Sequence, residues 1–123
     1  MSSYGDKRIL LVEDEVLIAI LLENMVADLG AVTVGPAYNL QSGLALAETA
    51  DIDAAILDVN LGDGDSCAIA DTLAARQIPF ILATGYGHTA RNSHNVPILQ
   101  KPYLSNDIER ELDQLFSAEI RTA

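Results

Sequence analysis

An α/β fold built on a doubly wound, five-stranded parallel sheet is what this sequence predicts, and three observations predict it. Short apolar runs, each suited to a strand buried on both faces, alternate with longer stretches of helical period. Most of the runs end at their carboxyl side in residues that turn the chain or carry chemistry: Glu13-Asp14-Glu15, Gly35-Pro36, Asp58, Thr84-Gly85 and Lys101-Pro102. Strands that alternate with helices form a parallel sheet with right-handed crossovers and helices on both faces.

Arg8 to Val12 is the first strand, followed at once by three acids. Val16 to Leu29 reads as a helix stopped by Gly30 at the C′ position. Leu17, Leu21 and Met25, with Ile18, Leu22, Val26 and Leu29, form one broad apolar face, and Val16 and Ile20 fall on the opposite side. The first two turns are thus apolar nearly all round, more than a single core face requires. Ala31 to Pro36 is a second strand. Asn39 to Thr49 is a helix with Asn39 or Ser42 near its start and Leu40, Leu44, Leu46 and Ala47 facing inward. Ala54 to Leu57 is a continuous apolar run closed by Asp58. The stretch Asn60-Leu61-Gly62-Asp63-Gly64-Asp65 is too rich in Gly and Asp to continue that strand. Asp65 or Ser66 caps the next helix, which runs through Ile69, Ala70, Leu73 and Ala74 to Arg76. Pro79 to Ala83 is the fourth strand and ends at Thr84-Gly85-Tyr86-Gly87.

The rhythm then changes. His88 to Asn95 has weak helix propensity and no apolar stripe, which predicts a reduced fourth helix. Val96 to Gln100 is the fifth strand, and Ser105 caps a last helix through Ile108, Leu112, Leu115 and Phe116. One domain over residues 7–117 is expected, with flexible ends at 1–6 and 118–123.

The length of 123 residues suits one domain with one core, and an apolar content of 50% is enough to fill it. Seven basic against 18 acidic residues give a formal charge of −11. That balance argues against nucleic acid, whose phosphates need a basic face, and against an anionic membrane surface. It fits a cation site or a partner with a basic rim. Cys67 is the only cysteine, so no internal disulfide forms and a reducing compartment fits. With no apolar signal core and no stretch long enough to span a bilayer, a soluble cytoplasmic protein is expected.

In a doubly wound sheet the carboxyl ends of the strands share one edge, where ligands bind. Strand one delivers Glu13 and Asp14 there, strand three Asp58, strand four Thr84 and strand five Lys101. Two carboxylates about 5 Å apart repel by roughly 3 kcal/mol at an effective dielectric of 20, so a positive charge must offset them. Lys101 supplies one, and a hard divalent cation with oxygen ligands supplies more. Mg²⁺ suits Asp14, Asp58 and a loop carbonyl, with waters held by Glu13. An ionised Asp beside a metal suggests phosphoryl transfer to that Asp. Lys101 and the Thr84 hydroxyl would then meet phosphoryl oxygens. Taken singly, each feature has an ordinary reading: dipole complementation by acids before a helix, a Thr-Gly turn, a Lys-Pro strand exit. Their arrival together, each at its own strand end, favours the site.

The runs Ile9-Leu10-Leu11-Val12-Glu13-Asp14-Glu15, Leu57-Asp58, Ala83-Thr84-Gly85 and Lys101-Pro102, in that order, resemble the bacterial response-regulator receiver domain over about Lys7 to Phe116. The resemblance implies the flavodoxin-like strand order 2-1-3-4-5. It implies phosphorylation of Asp58 by a histidine kinase or histidine phosphotransfer protein, and Mg²⁺ at Asp14, Asp58 and the Asn60 carbonyl, with Glu13 through water. It implies a signalling domain rather than an enzyme acting on a separate substrate. Pro79 to Tyr86 is similar to a subgroup marked by a Phe-Ala-Thr-Gly-Tyr-type run, with Leu82 where that run has Phe. Two departures stand out. Ile98 occupies the place of the usual aromatic switch three before the lysine, and the segment between Thr84 and Lys101 is short and polar. Tyr86 is the alternative aromatic, or simply a half-buried tyrosine.

No output domain fits after Phe116, so a stand-alone receiver is expected: a relay, a phosphate sink, or a regulator acting through protein contacts. A haloacid-dehalogenase-like phosphohydrolase also phosphorylates an Asp at a strand end, but needs a second Asp two positions on, where Asn60 stands. A flavodoxin-like cofactor binder needs a phosphate-cradling loop after strand one, which Glu13-Asp14-Glu15 opposes. Three structural expectations follow. The Lys101-Pro102 bond is cis, a partner docks on the apolar first turns of the first helix, and Tyr86 to Asn95 is the moving part.

Overall fold

A strand whose residues are all apolar has no face to offer water. Ala54, Ala55, Ile56 and Leu57 are accordingly buried on both sides of the sheet. The computed structural model describes residues 5–59, 61, 66–84, 98–100 and 109–112, with the backbone alone for Thr84 and 98–100. Its elements are β1 (Arg8–Val12), α1 (Val16–Asp28), β2 (Val32–Ala37), α2 (Leu40–Thr49), β3 (Ala54–Asp58), α3 (Cys67–Ala75), β4 (Phe80–Thr84) and β5 (Ile98–Gln100), and residues 109–112 are helical. The strands lie in the order β2-β1-β3-β4-β5 and every pairing is parallel. This is the doubly wound order that the resemblance implied.

Alternate residues of β1, β3 and β4 feed two cores. Ile9, Leu11, Ala54, Ile56, Ile81 and Ala83 pack with Leu22 and Val26 of α1 and with Leu112. Leu10, Val12, Ala55, Leu57, Phe80 and Leu82 pack on the other face with Ala47, Ile69 and Leu73 of α2 and α3. Gly43 lets α2 lie close over β1: a Cβ there would fall 2.8 Å from Ile69 Cδ1 and 3.0 Å from Val12 Cγ1. Arg76, just past α3, donates to the carbonyls of Ala47 at 2.6 Å and Ala50 at 2.9 Å. It thereby satisfies carbonyls that the end of α2 leaves unpaired.

Three local expectations meet different outcomes. Asn39 caps α2, accepting from the Ser42 amide at 2.8 Å. Ser66 occupies the N-cap position of α3, but its side chain makes no cap bond. The core face of α1 is narrower than its leucines suggested. Ala19, Leu22 and Val26 are buried, with Ile18, Met25 and Leu29 packed beside them. Leu17 and Leu21 are 79% and 54% exposed, alongside Val16 at 54% and Ile20 at 45%. With Ala19, Leu22 and Val26 on the buried side, a period of 3.6 turns positions 17 and 21 away.

β2 also continues through Gly35-Pro36 to Ala37 rather than ending there. Among the described residues no helix is long and apolar enough to cross a membrane. Asn60, Tyr86, Lys101, the Lys101-Pro102 bond, the segment His88 to Asn95, Ser105 and both chain ends lie outside the described residues, as does the Thr84 hydroxyl.

Candidate metal centre

β1 and β3 are neighbours in register, Val12 opposite Leu57. Both end at the same edge, so the residues that follow this pair, Glu13 just past β1 and Asp58 at the end of β3, arrive side by side. Asp14 follows Glu13 before α1 begins. One carboxylate oxygen from each of Glu13, Asp14 and Asp58 lies within 4.8 Å of the others. Glu13 is 1% exposed and Asp58 4%, while Asp14 is partly open to solvent. Three of the predicted site residues are therefore brought together by adjacent strands. Thr84 ends β4, one residue past the Asp58–Ala83 register pair, which puts its backbone at the same edge.

The environment of each acid has a local cause. Glu13 is held at both ends. Its amide donates to the Ala37 carbonyl at 2.9 Å, and its Oε2 accepts from the Glu15 amide at 3.1 Å. Oε1 is buried and accepts no hydrogen bond from the described residues. Past Asp58, Ser66 N donates to Val59 O at 3.1 Å. Leu61, between them in the chain, is buried against the α2–α3 core. Val59 N donates to Ala83 O at 2.9 Å, so the β3–β4 ladder extends one residue beyond Asp58.

Burying carboxylates together is costly unless positive charge or hydrogen bonds compensate. A hard cation answers that cost. Mg²⁺ holds oxygen ligands at about 2.1 Å, so opposite ligands stand about 4.2 Å apart. Oxygens that all lie within 4.8 Å of one another are on the scale of such a shell. The all-oxygen donor set suits Mg²⁺, Ca²⁺ or Mn²⁺ rather than a thiophilic metal. The residues present thus fit a divalent cation. The sequence reading missed the part of β2 in this site. Gly35-Pro36 read as a strand end, although glycine inside a strand is also the mark of a bulge.

Comparison with known proteins agrees with this geometry. A family model described as "Response regulator receiver domain" matches residues 9–113. Transcriptional regulatory protein PdtaR of Mycobacterium tuberculosis (strain H37Rv) is 31% identical over 108 residues, 83% of this chain and 53% of that protein. The chain thus spans about half the length of the curated relatives it matches. The solution structure of SdrG from Sphingomonas melonis Fr1 is 41% identical with a TM-score of 0.79, covering 94% of this chain and 99% of that one. The crystal structure of a CheY-like receiver domain protein from Methanospirillum hungatei JF-1 is 21% identical with a TM-score of 0.85, over 97% of this chain and 100% of that one, a likeness of fold.

Proposed function

The chain belongs to the response-regulator receiver domain family, and on that premise we propose that it accepts a phosphoryl group on Asp58 from a histidine kinase or histidine phosphotransfer protein. The observation that carries this reading is the buried Asp58 at the end of a central strand, its oxygen within 4.8 Å of those of Glu13 and Asp14. A carboxylate oxygen of Asp58 attacks the phosphorus of a phosphohistidine. The O–P bond forms as the N–P bond breaks, and the imidazole nitrogen leaves with that electron pair and takes up a proton. Mg²⁺ would be held by Asp14, Asp58 and the Asn60 carbonyl, with Glu13 acting through water, and supplies charge neutralisation at the phosphoryl oxygens. Lys101 and the Thr84 hydroxyl serve the same oxygens as further cation and donor.

The phosphorylated domain then relays a signal through protein contacts in the cytoplasm. Single-domain action is supported by the likeness to SdrG, which this chain matches over almost its whole length. The alternative role is a phosphate sink, in which no downstream protein reads the phosphorylated state. Receiver domains meet kinases or phosphotransfer proteins, and the exposed Val16, Leu17, Ile20 and Leu21 of α1 support docking of that partner beside the acidic site.

Intact mass after incubation with Mg²⁺ and candidate phosphodonor proteins tests the proposal. One added phosphoryl group, labile to hydroxylamine and absent in Asp58→Asn, is the expected result. Full incorporation on Asp58→Asn refutes the assignment. Phosphotransfer to Val16→Lys and Ile20→Lys is expected to slow while stability is kept, and rates equal to the parent would remove α1 as the dock.

A further inference from the structure

The edge strand β2 does not run evenly beside β1. Leu10 faces Val34 but Val12 faces Ala37, so β2 advances one residue more than β1 over that interval. The register slips there by one residue, as it does at a bulge, and such a slip re-aims the residues that follow it. Here the extra residue carries Ala37 level with the end of β1. Its carbonyl then accepts the Glu13 amide at 2.9 Å and extends the ladder to the first acid of the site. In an even register Pro36, not Ala37, would stand opposite Val12.

Gly35 is what permits the slip. Its φ is +96°, a conformation that side chains rarely adopt. A Cβ there would lie 2.8 Å from Ala37 N and 3.2 Å from Leu11 O. Both are backbone atoms of the two strands concerned, so neither yields without moving the ladder itself. The Glu13 carboxylate has its own separate restraint, the 3.1 Å bond from the Glu15 amide to Oε2. Backbone and side chain of Glu13 are thus fixed from opposite directions, one by β2 and one by the start of α1.

The geometry points to Gly35 as a positioning residue for the acidic site. Its backbone makes the β2 register slip that brings the Ala37 carbonyl to the Glu13 amide, and so sets where the Glu13 carboxylate stands beside Asp14 and Asp58. The inference rests on reading that site as a divalent-cation site. Partners that orient a ligand influence metal affinity strongly even though they never touch the ion.

The experiment uses the full chain and MgCl₂ as the probe, well below the melting temperature. Glu13 N–H to Ala37 C′ scalar coupling and amide chemical shifts are followed through a Mg²⁺ titration. For Gly35→Ala we expect the coupling to vanish and affinity to fall by about tenfold, the low end for loss of an orienting partner. Arg76→Ala, a destabilising change away from the acids, should keep both the coupling and the parent affinity. Unchanged affinity in a folded Gly35→Ala overturns the inference, as does an equal loss in Arg76→Ala. A second measurement holds even where Gly35→Ala fails to fold: in the parent protein the Glu13 amide should exchange slowly and slow further with Mg²⁺. Fast exchange at Glu13 alone in the folded parent overturns the positioning role. Absence of any Mg²⁺ response in the parent protein defeats the cation reading itself, and with it this inference.

Discussion

One face of the sheet carries α2 and α3, the other carries α1, and the two are covered in different ways. On the α2–α3 face the elements are pinned to each other and to the sheet. Gly43 brings α2 into contact with β1 and α3, and Arg76 ties the end of α3 to the carbonyls closing α2. On the α1 face, Ala19, Leu22 and Val26 pack inward, while four large apolar side chains of the same helix face outward. Apolar surface stabilises a fold only when it leaves water. The part of these side chains that stays in water therefore adds little to the stability of this domain. The difference teaches that hydrophobicity along a helix and its contribution to the fold are separate quantities.

Substitutions on the two sides of α1 sharpen that contrast most. Leu22→Ala is expected to cost about 2–5 kcal/mol by urea denaturation, through lost burial and the cavity left behind. On the other face, Gly43→Ala should cost about 1–3 kcal/mol, because the added methyl meets Ile69 and Val12 in a filled space. A neutral or stabilising Gly43→Ala would mean that helix propensity outweighs the contact there. Arg76→Ala should cost about 1 kcal/mol by the same measurement, since it removes two bonds to helix-end carbonyls that water can partly replace. Smallest is Leu17→Ala, expected within about 0.5 kcal/mol of the parent. A Leu17→Ala loss as large as that of Leu22→Ala would break the comparison, because it would place Leu17 in the core.

The acidic edge was legible for a simple reason. Each acid follows its strand directly, so once Arg8–Val12 and Ala54–Leu57 are strands, Glu13 and Asp58 must stand at carboxyl ends. Closeness between them is another matter. It depends on β1 and β3 being neighbours, an order that periodicity does not specify and that entered only through a family resemblance, and on Val12 lying opposite Leu57, which only the structure gives.

The sequence by itself determined the alternation of strands and helices, the burial of β1 and β3 on both faces, the start of α2 near Asn39 or Ser42 and the acids at the strand ends. These are local properties, set by side-chain period, turn chemistry and chain adjacency. Tertiary structure decided which apolar residues of α1 are buried, because a helix apolar nearly all round can turn more than one face to the sheet and only packing selects Ala19, Leu22 and Val26. It left Ser66 at a cap position without a cap bond. It also decided that Gly35-Pro36 would lie inside β2 rather than end it. A glycine at positive φ serves a turn or a bulge-like slip equally well, and only pairing with β1, ending in the bond from Glu13 to Ala37, selects the slip.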